Sequence, residues 1–195
     1  MEISTIKTII GIVAVALTFV GYIPYSKDIL KGKTKPHLYS WVLWGLVTGI
    51  VFGLQITNKA GPGSFITLTA ALMCFLVIIL GVKFGSVSKI TNSDKVFLFL
   101  ALVALVLWLV AKQPLLSVLT ATAVDLLGFA PTIRKSWSEP FSETLSFYYL
   151  NTARFGIALL ALSQYTVITA LYPIMWLIAN GLFAIMLNIR RKQIK

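Results

Sequence analysis

The sequence predicts an all-α membrane protein with seven transmembrane helices, and three observations carry this prediction. The chain is 58% hydrophobic and only 12% charged, with a mean hydropathy of +0.89, whereas a soluble domain carries about 25% charged residues. The apolar residues come in long blocks, and one block, residues 38–56, spans nearly the whole ~30 Å hydrocarbon layer at about 1.5 Å per residue. Segments rich in glycine, proline and lysine separate the blocks.

Each predicted helix follows one apolar block and ends at a turn signal. These signals read, in order, KGKTKP, NKAGPG, SVSKITNSDK, KQP, SEPFSE and SQYT, the last being the weakest divide. The first block lacks the basic start and the small-residue cleavage site of a signal peptide, so it is predicted to be a retained helix. The predicted helices are 5–27, 38–57, 63–83, 95–111, 114–136, 145–163 and 166–189.

The distribution of lysine and arginine predicts an N-terminus outside and a C-terminus in the cytoplasm. With that orientation, thirteen basic residues fall in inner segments and three in outer ones, as the positive-inside rule requires. The net charge of +11 is therefore explained by anionic lipid headgroups, and no nucleic-acid partner is predicted. The inner residues are Lys27, Lys31, Lys33, Lys35, Lys83, Lys89, Lys95, Arg134, Lys135, Arg190, Arg191, Lys192 and Lys195, and the outer ones are Lys7, Lys59 and Lys112.

The chain also contains a weak internal repeat at a shift of 107 positions. Six identities join residues 21–50 to residues 128–157, and Lys27 meets Arg134. The shift moves three helices onto three and skips the fourth, which predicts a 3+1+3 arrangement of two parallel halves. The predicted parts are a three-helix bundle (1–90), a linker helix (91–113) and a second bundle (114–195). The identical pairs are Gly21/Gly128, Pro24/Pro131, Leu38/Leu145, Leu43/Leu150, Gly49/Gly156 and Ile50/Ile157.

Prolines lie at the predicted inner ends of helices one and five, and basic residues follow each of them. In these features, in the repeat and in the topology, the chain resembles the SWEET and PQ-loop superfamily. The Pro-Gln motif is degenerate, since Tyr25 follows Pro24 and Thr132 follows Pro131. Bacterial nicotinamide riboside carriers have a similar layout and remain an alternative. The resemblance implies a small carrier in a bacterial or archaeal plasma membrane that moves a sugar-like, nucleoside, vitamin or amino acid solute by alternating access.

Three residues are predicted to shape an inner gate. A proline inside a helix removes a backbone hydrogen bond and kinks the helix, so Pro24 and Pro131 are candidate hinges. The alternative is that they only shape their helices, as prolines often do in membranes. Trp44 is predicted to lie deep enough to line the gate.

Two charged side chains are predicted near the middle of the membrane. Asp125 lies about eleven residues before the inner end of helix five and Arg154 about ten residues into helix six, so both lie roughly 15 Å deep. A short loop would make the two helices antiparallel neighbours, and pairing would lower an insertion cost of about 2.5–3.5 kcal/mol for each charge. The other half has Thr18 and Val47 at the matching positions. This favours a solute anchor, while a static ion pair stays open.

Amide and aromatic side chains complete the predicted solute site. Asn151 precedes Arg154 by three residues and shares its helix face. The resemblance implies that Asn180 and Trp176, on the last helix, bind the solute through amide hydrogen bonds and ring stacking. The matching positions on helix three offer no asparagine. The alternative for Trp176 is a packing or interfacial residue, and it stays open.

No cofactor, metal or enzymatic activity is predicted, because no spacing of metal ligands and no nucleophile with a base partner is present. The expected partners are a small polar solute and the lipid bilayer, with a homo-oligomer possible. The alternative function is a membrane receptor or assembly factor of the same fold that transports nothing.

Overall fold

The computed structural model describes residues 2–34, 36, 38–84 and 92–194, and of Asp94 and Pro131 it describes the backbone alone. Within these ranges the chain contains helices and turns but no strand, which confirms the all-α class for this part of the protein. The helices are α1 (Ile3–Leu30), α2 (Leu38–Thr57), a 3₁₀ helix (Gly61–Ser64), α3 (Phe65–Lys83), α4 (Asn92–Leu109), α5 (Pro114–Ser138), α6 (Leu145–Leu160) and α7 (Val167–Gln193).

Within the described ranges, five spans are long and apolar enough to cross a membrane: α1, α2, the 3₁₀ helix with α3, α5 and α7. This is compatible with an integral membrane protein. α4 supplies a shorter apolar stretch, Lys95–Leu109. α6 has 16 residues, a length of about 24 Å, and carries Arg154 in its middle. The number of crossings, their orientation and the three-part division of the chain remain predictions.

All helix ends lie within about four residues of the predicted ones, and two of the differences have visible reasons. α1 continues through Pro24 to Leu30, and the chain then turns at Gly32, whose φ of 67° favours glycine. α6 ends at Leu160, three residues before its predicted end. The backbone after it bonds elsewhere, since the N–H of Ser163 donates to the carbonyl of Ala60 at 2.8 Å.

The helices pack in two similar groups of three. α3 packs against α1 and α2, and α7 packs against α5 and α6. The groups meet where α1 packs on α6 and where α2 packs on α5. α4 packs on α5 and α2, so it contacts both groups. The third helix of each group is thus the central one, and a buried core of aromatic and aliphatic side chains fills the space between the groups.

The end of the bundle that holds the start of α1 is tightly closed. The N–H of Gly63 donates to the carbonyl of Ala161 at 3.2 Å, and the ammonium of Lys7 donates to the carbonyl of Leu162 at 2.5 Å. A Cβ on Gly63 would lie 2.8 Å from the carbonyl oxygen of Ala158. The 3₁₀ helix therefore approaches the α6–α7 loop backbone to backbone. We call this end of the bundle the closed end.

Candidate functional site

A cavity of about 160 Å³ lies between the two groups of helices. Side chains of α1, α2, α3, α5, α6 and α7 line it, together with residues of the two loops at the other end of the bundle. All five residues predicted to bind a solute line this one cavity, and so does the predicted gate residue Trp44. The five are Asp125, Asn151, Arg154, Trp176 and Asn180.

Asp125 is fully buried near the middle of α5. Its Oδ2 accepts hydrogen bonds from the hydroxyl of Tyr172 and from the indole N–H of Trp176, both at 2.8 Å. These donors are four residues apart on α7 and therefore share one face. The second carboxylate oxygen, Oδ1, is buried and has no hydrogen-bond partner among the described residues. The carboxylate is thus fixed on one side and unsatisfied on the other.

Tyr172 is not among the predicted site residues, although the sequence carries a signal for it. Tyr172, Trp176 and Asn180 follow each other at four-residue intervals, and this spacing places them on one helix face. Trp176 is 8% exposed and bonded to Asp125, so it is a buried polar contact and not an interfacial tryptophan.

Arg154 is buried in α6 and points toward α1. Its Nη1 donates to the hydroxyl of Thr18 at 3.3 Å, and its guanidinium lies 4.5 Å from the ring centre of Phe155 and 6.0 Å from that of Tyr22. Its Nε has no partner among the described residues. Thr18 is the residue that the 107-residue shift matches with Asp125. Because Thr18 lies on α1, Arg154 is bonded by the group α1–α3 and not by its own group α5–α7.

The expected pairing of Asp125 with Arg154 is therefore wrong. The two side chains line the same cavity but form no ion pair within 4.0 Å. The expectation assumed that a short loop makes α5 and α6 close neighbours. Instead α7 packs against both of them, and α6 turns its other side to α1. Two buried opposite charges consequently share one cavity without neutralising each other directly.

The two asparagines join α6 to α7 beside these charges. The side-chain amide of Asn151 donates to the side-chain oxygen of Asn180 at 3.4 Å. The amide of Asn180 donates in turn to the backbone carbonyl of Trp176 at 2.7 Å. Both residues are buried, so the pair holds polar groups at the cavity wall in fixed positions.

Aromatic rings form much of the remaining wall. The ring centres of Trp44 and Trp176 are 6.3 Å apart, and Phe129 lies 5.4 Å from Trp176. Phe155 stacks on Trp176 with an interplanar angle of 17°. The indole N–H of Trp44 is buried without a partner among the described residues. The wall thus offers apolar ring faces together with one free donor.

Of the two predicted hinges, one does not line the cavity and the other has a side chain that the structure does not describe. Pro24 lies inside α1, is half-buried and does not line the cavity. Pro131 falls within α5, but its side chain lies outside what the structure describes. A further proline, Pro173, lies inside α7 next to Tyr172 and is not among the predicted hinges.

At the end opposite the closed end, the cavity reaches the α5–α6 loop. It extends to Lys135, whose side chain is 40% exposed, and to Glu143, which is 9% exposed. Tyr148 donates to Glu143 at 2.9 Å, and the ammonium of Lys135 lies 3.9 Å from the same carboxyl group. Burial raises the pKa of Glu143 above its ordinary value, while Lys135 and Tyr148 act in the opposite direction.

No metal site emerges from the described residues: none of their histidine, cysteine, aspartate and glutamate side chains form a group of three that could hold an ion. Comparisons with protein-family models, with curated proteins and with solved structures give no match to this chain. The cavity and its side chains are therefore the features from which a function is inferred.

Proposed function

We propose that this protein is a small secondary membrane transporter that binds a small polar solute in the central cavity and moves it by alternating access. The observation that carries the proposal is the pair of unsatisfied buried charges. Oδ1 of Asp125 and Nε of Arg154 lack partners within the described chain, and both side chains line the cavity. Buried polar groups are almost always satisfied, so these atoms call for a bound solute or water.

The packing supports a carrier of two halves. The contacts of α1, α2 and α3 resemble those of α5, α6 and α7, because the third helix is central in both groups. This agrees with the proposed 3+1+3 repeat, with α4 as the linker and seven crossings from an outer N-terminus. The solute site lies where the two halves meet, which is the position expected for carriers built from repeats.

The two ends of the molecule differ in a way that suits alternating access. Backbone hydrogen bonds between residues 60–63 and residues 161–163 seal the closed end. At the other end of the bundle, the cavity extends to the exposed Lys135. With the N-terminus outside, this arrangement is an inward-facing state. Transport would then require the closed end to separate while the loops around Glu143 come together.

Uptake into proteoliposomes tests the proposal. The panel contains glucose, uridine, nicotinamide riboside and γ-aminobutyrate as radiolabelled solutes. We expect uptake of at least one solute, and a loss of about tenfold or more in Asp125→Asn and in Arg154→Met, because each removes a charge-assisted contact. Glu139→Gln, at an exposed carboxylate outside the cavity, is the matched control.

Two results would contradict the proposal, the first in its solute site and the second in transport itself. Unchanged uptake by the Asp125→Asn, Arg154→Met double variant would remove the cavity charges from the transport mechanism. A rise in melting temperature with a ligand or partner protein, but no uptake of any solute, would instead identify a receptor or assembly factor.

A further inference from the structure

We infer that the solute is a compact zwitterion, with a protonated amine that meets Asp125 and a carboxylate that meets Arg154. The inference rests on the proposed function, since it names the class of solute for the same cavity. It starts from one juxtaposition: two buried, opposite charges face one cavity, each holds an unsatisfied atom, and they do not pair with each other.

The acceptor side of the cavity is preset for a cation. Tyr172 and Trp176 both donate to Oδ2 of Asp125, which fixes the orientation of the carboxyl group and leaves Oδ1 as the free acceptor. An ammonium group supplies N–H donors to that atom. The neighbouring indole ring of Trp176 adds a face that attracts positive charge.

The donor side is preset for an anion. Thr18 accepts from Nη1 of Arg154, and the guanidinium lies over the ring of Phe155 at 4.5 Å. The group is therefore held in place while Nε stays free. The planar guanidinium matches a carboxylate in geometry and forms strong charge-assisted hydrogen bonds with it. The free indole N–H of Trp44 provides one more donor in the same cavity.

Charge balance selects a solute that carries both signs. A buried charge without a counter-charge is strongly destabilising. Lys135 and Glu143 lie close to each other at the open end of the cavity, which leaves Asp125 and Arg154 as one unpaired group of each sign. A simple amine or a simple carboxylate leaves one of them uncompensated, and a sugar leaves both without a counter-charge. A zwitterion compensates both and adds no net charge to the low-dielectric interior.

The cavity volume limits the size of this solute. The cavity measures about 160 Å³, close to the roughly 150 Å³ cavity that binds one benzene molecule. A solute of about six to eight non-hydrogen atoms fits this space. Short amino acids such as β-alanine and γ-aminobutyrate are in this range, whereas a disaccharide or a nucleoside has more atoms than this range.

Binding of a matched probe series to purified protein in detergent tests the inference. The probes are glycine, β-alanine and γ-aminobutyrate, which differ in charge separation, with propylamine, propionate and glucose as partial or uncharged analogues. Isothermal titration calorimetry measures affinity. We expect at least one zwitterion to bind about tenfold or more tightly than each analogue, because each analogue lacks at least one charge-assisted contact. Equal or tighter binding of glucose, or of either singly charged analogue, would overturn the inference.

Two charge variants make the test specific to the proposed contacts. Asp125→Asn is expected to lose affinity for the zwitterion and to retain propionate binding, and Arg154→Gln is expected to lose affinity and to retain propylamine binding. A general packing defect would not produce this crossed pattern. Glu139→Gln and Arg134→Gln, both at exposed positions, are controls that should bind all probes as the unmodified protein does. If Arg154→Gln fails to fold, Thr18→Val replaces it, since loss of the Arg154 anchor should weaken the zwitterion and propionate but not propylamine. If Asp125→Asn fails to fold, Tyr172→Phe replaces it, since loss of a donor to Asp125 should weaken the zwitterion and propylamine but not propionate.

The outcomes separate this inference from the proposed function. Binding and uptake of glucose alone would leave a carrier and exclude the zwitterion. Binding of a zwitterion without uptake would support the inference and contradict transport. Absence of binding by every probe would overturn the inference, while uptake of another solute in the liposome assay would still support a carrier.

Discussion

Asp125 owes its orientation to two residues one helical turn apart on α7. Tyr172 and Trp176 both donate to the same carboxylate oxygen. Neither hydrogen bond can be predicted from the sequence of α5 alone, because the donors lie on a helix about 50 positions later in the chain. The sequence did single out the charge and one of its partners by their residue types. The geometry then assigns one oxygen to the protein and leaves the other for the cavity.

Tyr172→Phe should destabilise the protein by about 1–3 kcal/mol, because it leaves a buried carboxylate with one hydrogen bond fewer. Thermal unfolding in detergent measures the effect. Tyr149→Phe is the matched control, since Tyr149 is 48% exposed and loses a hydrogen bond that water can replace. Equal destabilisation by the two variants would contradict the assigned role of Tyr172.

Glu143 should make stability depend on pH. Its folded-state pKa is raised by burial, so its contribution is fully present below the ordinary glutamate value of about 4.3 and is lost as the pH rises through the folded-state pKa. The melting temperature should therefore fall over that window, and Glu143→Gln, which cannot ionise, should reduce the slope. Glu139→Gln should keep the slope of the unmodified protein. A slope unchanged in Glu143→Gln would exclude this carboxyl as its source.

At the scale of elements, the helices follow from apolar blocks and turn signals, and the exceptions follow from tertiary contacts. α6 stops early because the backbone beyond it bonds with residues 60–63. α7 starts at a capping box in which Thr166 and Thr169 bond reciprocally, after the weak SQYT divide. Chain-local chemistry thus decided where α7 begins, and a distant segment decided where α6 ends.

Gly63→Ala should weaken the closed end. The added Cβ would lie 2.8 Å from the carbonyl oxygen of Ala158 and from a methyl group of Leu162, which predicts a loss of about 1–3 kcal/mol from overpacking. Gly49→Ala in α2 is the matched control, because no other described atom lies within 4 Å of its added Cβ. Alanine there should be neutral or stabilising by up to about 1 kcal/mol. Thermal unfolding of both variants measures the difference, and the same sign in both would contradict the close approach.

At the scale of the whole molecule, the charge distribution and the packing lead to the same proposed topology. Ten of the thirteen basic residues predicted to lie inside are within the described ranges. They lie around the end of the bundle that the cavity reaches. The closed end lies at the side predicted to be outside. Two similar groups of helices then enclose a site between them, as a pair of parallel repeats would.

Labelling of single cysteines tests this topology. In a Cys74→Ala background, Glu2→Cys and Gln164→Cys should react with a membrane-impermeant maleimide on intact cells. Glu139→Cys and Gln193→Cys should react only after permeabilisation, because the positive-inside rule places them in the cytoplasm. All four positions are exposed. Labelling of Glu2→Cys and Gln193→Cys from the same side would exclude an odd number of crossings.

The sequence by itself predicted an all-α chain of long apolar helices and the position of each described helix to within a few residues, and it singled out, partly through the resemblance, the five polar and aromatic residues that line one cavity. These properties depend on composition, on breaks between apolar blocks and on residue type, all of which are local. Only the tertiary structure decided which side chains form hydrogen bonds with one another. Periodicity defines which residues share a helix face, but not which neighbour that face meets. Because α7 packs against both α5 and α6, Asp125 bonds to α7, Arg154 bonds to Thr18 on α1, and both retain an unsatisfied atom in the cavity.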